Sequence, residues 1–140
     1  MTYYKSRLLI GACAALALSG CETVAEEVNA AVGTELIANL TPSAGGSGSG
    51  KAEISLNDTT NMLCTDLELY GTVSMTAGHV IGPGNAVIAD IDVPNDNDSD
   101  DCDNVSDAVI DAMKNNPGAY RVHIAATTGD LNGTLRHDTD

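Results

Sequence analysis

From Lys51 to Leu56, the apolar residues Ala52, Ile54 and Leu56 alternate with Lys51, Glu53 and Ser55. A period of two places one face of an extended strand on a core and the other in water. The turn-forming stretch Asn57 to Asn61 follows, and the alternation then resumes from Leu63 to Leu69, with Leu63, Leu67 and Leu69 on one face and Cys64, Asp66 and Glu68 on the other. The two runs predict a β-hairpin. Thr34 to Leu40 reads as a first strand, and Pro42 to Gly50, with its GGSGSG centre, as a flexible loop. Further strands are predicted at Ala86 to Val93, Ala119 to Ala126 and, after a turn around Thr128 to Asp130, Leu131 to Leu135. In the strand Ala119 to Ala126, Tyr120, Val122 and Ile124 face the core, and His123 points outward beside Arg121. One helix breaks the pattern near residues 104–115. Asn104 is its N-cap, Val105, Val109 and Met113 recur every four residues, and Asn115, Asn116, Pro117 and Gly118 stop it. The expected fold is mainly β, an antiparallel β-sandwich with one short α-helix at the sheet edge.

The first residues follow another rule. Lys5 and Arg7 precede a short apolar run from Leu8 to Leu18, and the small residues Ser19 and Gly20 come next. This is the layout of a cleavable signal peptide. The run is about half of the roughly 20 residues that span a bilayer. The string Leu18, Ser19, Gly20, Cys21 resembles the lipobox of bacterial lipoproteins. That resemblance implies diacylglyceryl and acyl chains on Cys21, and several chains anchor stably where one does not. Glu22 stands where enterobacterial inner-membrane retention signals have Asp, which points to the outer membrane, facing the periplasm or the exterior. The chain thus divides into a signal peptide, residues 1–20, a lipid-anchored polar tether, residues 21–33, and a β domain, residues 34–140.

Removing the signal changes the charge balance, because it deletes two of the six Lys and Arg residues and none of the twenty Asp and Glu. A chain this acidic is soluble, attracts cations and basic partners, and is a poor ligand for nucleic acid. It has no Phe and no Trp, so the core must be aliphatic and no stacking platform for a base or sugar is present. Cysteine usage narrows too. Cys13 leaves with the signal and Cys21 goes to lipid, which leaves Cys64 and Cys102. An oxidising compartment favours a disulfide between them; the alternatives are two free thiols or a thiolate metal site, for which no CxxC spacing exists.

Three stretches resemble the CHRD domain, named from chordin and found in many bacterial secreted proteins, over about Leu36 to Arg136. They are the small-residue loop leading into Gly50 to Leu56; Met75 to Pro83, similar to the family's TAAHIHGP segment at Thr76, Ala77, His79, Gly82 and Pro83; and Ala119 to Leu135, similar to its YVNVHT…GGEIRGQL ending at His123, Gly129, Asp130, Leu131, Gly133 and Leu135. The family implies a β-sandwich, a superoxide-dismutase-like arrangement of histidines, and a binding or scaffolding role. Ile81 replaces the family's usual second histidine. Only His79 and His123 remain in the domain, where zinc or copper normally takes three or four ligands. His79 is therefore expected in a turn and His123 in solvent, with a transition-metal site as the alternative.

A second candidate is the acidic run Asp96 to Asp107. Asp96, Asp98, Asp100, Asp101, Asp103 and Asp107 fall within twelve residues. Carboxylates at alternate positions suit calcium, but Asp101 stands at the sixth position, where an EF-hand loop needs Gly. The choice lies between a looser calcium loop using Asp96, Asp98, Asp100, Asp103 and Asp107 and a solvated acidic loop. No GxSxG, HExxH, phosphate-binding or dinucleotide-binding motif occurs. The expectation is a non-catalytic, envelope-anchored module with no cofactor other than calcium, binding a protein or glycan. The alternative is a metal-dependent module.

Overall fold

The computed structural model describes residues 33–93 and 98–139. The signal peptide, Cys21, nearly all of the tether and Asp96 lie outside the described residues. Among those described, nine strands and one helix follow in the order β1 (Thr34–Pro42), β2 (Ser49–Asn57), β3 (Met62–Tyr70), β4 (Met75–Ile81), β5 (Val87–Ile91), β6 (Asp98–Asn104), α1 (Asp107–Asn115), β7 (Arg121–Ala126), β8 (Leu131–Thr134) and β9 (Arg136–His137). The helix is too short to cross a membrane, and no described helix is long and apolar enough to do so.

Every strand pairing is antiparallel, and the order across the sheet is β5-β4-β7-β8-β1-β2-β3-β6, with β9 beside β1. The result is the expected mainly-β fold, curled until it nearly closes. The alternation read from the sequence sets the inside. Leu36, Ala38 and Leu40 from β1, Ala52, Ile54 and Leu56 from β2, and Leu63 and Leu67 from β3 are buried together with Val80, Val122, Ile124 and Leu131. With no Phe or Trp, branched aliphatics fill this interior, and Tyr120 is its one buried aromatic among the described residues.

The helix starts later than its sequence suggests. Asn104 remains in β6 opposite Met62, and the cap is Ser106, whose hydroxyl accepts from the Val109 N–H at 3.4 Å. Serine and asparagine are near-equal caps, so sheet pairing decides between them. Ile110 and Met113 carry the buried stripe, while Val105 and Val109 pack at its margin.

Three strands were not apparent in the sequence: β4, β6 and the two-residue β9 beside β1. In β4 the register shifts between Met75 and Ala77, so Met75 and Gly78 both point inward although they are three apart. Such a bulge breaks the period of two. Gly78 is needed there, since a Cβ would lie 3.0 Å from the Ile91 Cβ and 2.4 Å from the Met75 Cε. The acidic run between residues 98 and 104 also forms a strand, β6, although Asp, Ser and Asn disfavour strands. Its register with β3 runs from Met62↔Asn104 to Glu68↔Asp98. Cys64 and Cys102 face each other in that ladder and are joined by a disulfide.

The ends of the curled sheet, β5 and β6, meet without a backbone ladder. Side chains close the seam. The Asp90 N–H donates to the Asp103 carboxylate at 3.1 Å, the Asp101 carboxylate accepts from the N–H groups of Asp92 and Cys102, and the Ser99 hydroxyl donates to the Asp92 carbonyl at 2.9 Å. Burial, followed by the charge of Asp92, raises the Asp101 carboxyl above its ordinary value.

Candidate functional site

Antiparallel register aligns one row of polar residues across four strands on the outside of the sheet. In β4, inward Gly78 and Val80 leave His79 facing outward; in β7, inward Val122 and Ile124 do the same for His123. The ladder sets His79 directly opposite His123. Asp90 of β5 lies opposite His79 on the other side, and Asn132 of β8 lies opposite His123. The row therefore reads Asp90, His79, His123, Asn132.

Each ring has a carboxylate. His79 Nδ1 lies 2.8 Å from Asp90 Oδ1, and His123 Nε2 lies 3.4 Å from Asp130 Oδ2. Asp130 is held in turn, because its Oδ1 accepts from the Ala126 N–H at 3.3 Å. The tight turn from β7 to β8 makes this possible. Gly129 has φ of +109°, and a Cβ there would sit 2.5 Å from the Gly46 backbone, a position only glycine fills. Both imidazoles keep an open side, with side-chain exposures of 32% for His79 and 26% for His123. Next to them, Ala77 and Ala125 occupy the neighbouring register pair, and each presents only a methyl group.

His79 thus lies in a strand, because the bulged β4 continues through it, whereas the sequence reading expected a turn. His123 does face outward as expected, half-buried beside its carboxylate. The partners Asp90 and Asp130 were not assigned from the sequence. A signal for Asp130 existed: the β7–β8 turn fixes 123 opposite 132 and brings 130 near the ring. For Asp90 there was none, since β4 itself went unread.

The acidic residues are dispersed. Asp100 faces Asp66 across the ladder. Asp103 lies opposite Leu63 and is engaged at the β5–β6 seam. Asp107 begins the helix and, with Asp58, Ile110 and Asp111, lines a cavity of about 230 Å³. Lys114 Nζ lies 2.6 Å from Asp58 at this cavity. The Asp98 backbone belongs to β6, and its side chain lies outside the described residues. Among the described residues no three His, Cys, Asp or Glu side chains converge on a common metal position.

Family models, curated proteins and solved structures contain no match to this chain.

A broader feature lies on the outside of β2, β3 and β6. The register stacks Glu53, Asp66 and Asp100 in one row and sets Lys51 beside Glu68 in the next. Lys51 bonds to Glu53, and Tyr70 donates its hydroxyl to Glu68. The field leaves its mark on both donors. The hydrogen bond and charge of Glu53 hold the Lys51 ammonium above its ordinary value, and the bond to Glu68 raises the Tyr70 phenol.

Proposed function

We propose that this chain is a non-catalytic, envelope-anchored binding module of the CHRD type, which presents the acidic face of β2, β3 and β6 to a protein with a basic surface. The row Glu53, Asp66, Asp100 carries this reading. Carboxylates set side by side draw cations to this face, as the bond from Lys51 to Glu53 illustrates, and a partner's Lys or Arg side chains meet the same attraction. A net charge of −14 at pH 7 extends the attraction and speeds encounter at low salt. Lipid on Cys21 holds the module at the outer membrane, with the polar stretch up to residue 33 as its tether. The disulfide supports the assignment to an oxidising compartment.

Pull-down from envelope extract tests the face. The protein is compared with a Glu53→Gln, Asp66→Asn, Asp100→Asn variant at rising salt. The variant should lose the captured basic proteins, and the wild type should lose them as salt increases. Equal capture by both, at all salt concentrations, would eliminate the proposal. Mass analysis of the N-terminal peptide, with Cys21→Ala as control, tests the anchor: acyl mass should appear on Cys21 only in the wild type.

A further inference from the structure

The two ends of the curled sheet are held unequally. β6 is paired with β3 along its full seven residues, and the Cys64–Cys102 disulfide ties the middle of that ladder. β5 is laddered to β4 over the shorter stretch Gly78↔Ile91 to Ile81↔Val87, with a register shift between Val80 and Ile81. Across the seam, the Asp90 N–H donates to Asp103 at 3.1 Å, the Asp92 N–H to Asp101, and the Ser99 hydroxyl to the Asp92 carbonyl at 2.9 Å. Residues opposite one another in a ladder share a face. Asp103, Asp101 and Ser99 therefore turn the same way as Leu63, Thr65 and Leu67 of β3, which are buried. A polar strip thus borders the aliphatic core at the seam, where water can take over the seam's hydrogen bonds.

We propose that the β5–β6 seam is a proton-operated latch, closed while Asp101 is protonated and parting more often once it is charged, with β5 the strand that swings away. Facing Asp101 are Asp92 of β5 and Asp103 of its own strand; Thr65 of β3 is uncharged, and His79 of β4 stands behind Asp90. The N–H groups of Cys102 and Asp92 favour the Asp101 charge, but burial and the charges of Asp92 and Asp103 outweigh them and raise the carboxyl. A protonated Asp101 still accepts the Asp92 N–H through its carbonyl oxygen. With the proton lost, three carboxylates crowd the two edges, and separation lets water solvate them. Closure is therefore favoured below the ordinary carboxyl value of 3.8 and weakens as pH rises through the higher closed-state value. Opening uncovers the buried Ala89 and Ile91 of β5, while β6 stays bound to β3.

Hydrogen exchange followed by nuclear magnetic resonance on the full chain in detergent tests the latch, with intrinsic amide rates divided out at each pH. From about pH 4 to about pH 7, protection of the Asp90 and Asp92 amides should fall roughly threefold or more, while the β3 amides keep theirs. Asp101→Asn should abolish the fall, and His79→Gln should preserve it. Constant protection at Asp90 and Asp92, a parallel loss in β3, or a pH dependence that survives Asp101→Asn or vanishes in His79→Gln would overturn the latch. The contrast between β5 and β3 lies within the wild-type molecule and holds even where a variant fails to fold. None of these outcomes depends on the acidic face or its partner.

Discussion

Replacing Cys64 and Cys102 together by alanine removes a cross-link between residues 38 apart in sequence. A closed loop of that length restricts the unfolded chain by about 4 kcal/mol at 25 °C on the chain-entropy model. The loop contains β4 and β5, which pair with β7 and with each other but not with β3, so breaking the bond frees a large part of the unfolded ensemble. The native side changes less, because the β3–β6 register from Met62↔Asn104 to Glu68↔Asp98 remains. For a domain of this size, each kcal/mol shifts Tm by about 4–8 °C, and the lower end of that range gives a fall of about 15–20 °C. Circular dichroism should show a native β spectrum at 20 °C in the double variant, with its midpoint reduced by that amount. A fall below about 5 °C would refute the reasoning, since it would mean that the unfolded chain is already confined without the bond.

Asp101 has a raised carboxyl, so its ionisation opposes folding: that group's contribution is most favourable below its ordinary value of 3.8 and declines as pH rises through the higher native value. Asp101→Asn keeps an acceptor for the Asp92 N–H and removes the charge; its stability relative to wild type should therefore increase from pH 3 to pH 7 in urea melts, and a constant difference would count against burial as the cause. Asp103→Ala should cost about 1 kcal/mol and accelerate exchange of the Asp90 amide hydrogen; unchanged protection of that amide would show that the seam bond does not form in solution. Gly129→Ala combines a positive φ with a 2.5 Å approach to the Gly46 backbone and should cost about 3 kcal/mol or more, read as the shift in the urea midpoint; a cost under 1 kcal/mol would show that the two loops separate freely.

The strands with clean alternation were legible from the chain, because β2 and β3 lie between a core and water and their residues report both. β4 was hidden by its bulge and by Gly78, two local features whose sense depends on Met75 and Ile91 packing against them. β6 was hidden by its composition. Nothing in a run of Asp, Ser and Asn indicates a strand until β3 supplies a ladder and Cys64 a covalent tie. The histidine row was hidden along with β4: the alternation of Val122 and Ile124 turns His123 outward, yet its relation to His79 exists only because β4 pairs with β7. The acidic run looked like a single ligand set, but strand geometry turns alternate carboxylates to opposite faces. Asp101 and Asp103 are therefore used at the seam and Asp100 on the outer face.

Sheets that stop short of closure expose unpaired backbone to neighbouring molecules, and a second copy can extend them into a fibre. In this protein the two terminal strands face one another, and the N–H groups of Asp90 and Asp92 are taken up by carboxylates rather than by a ladder. An incoming strand would have to dislodge those carboxylates and then lie against Asp100, Asp101 and Asp103. The acids that look wasteful in a strand thus act as a guard against polymerisation, and they matter most where copies are crowded side by side on a surface.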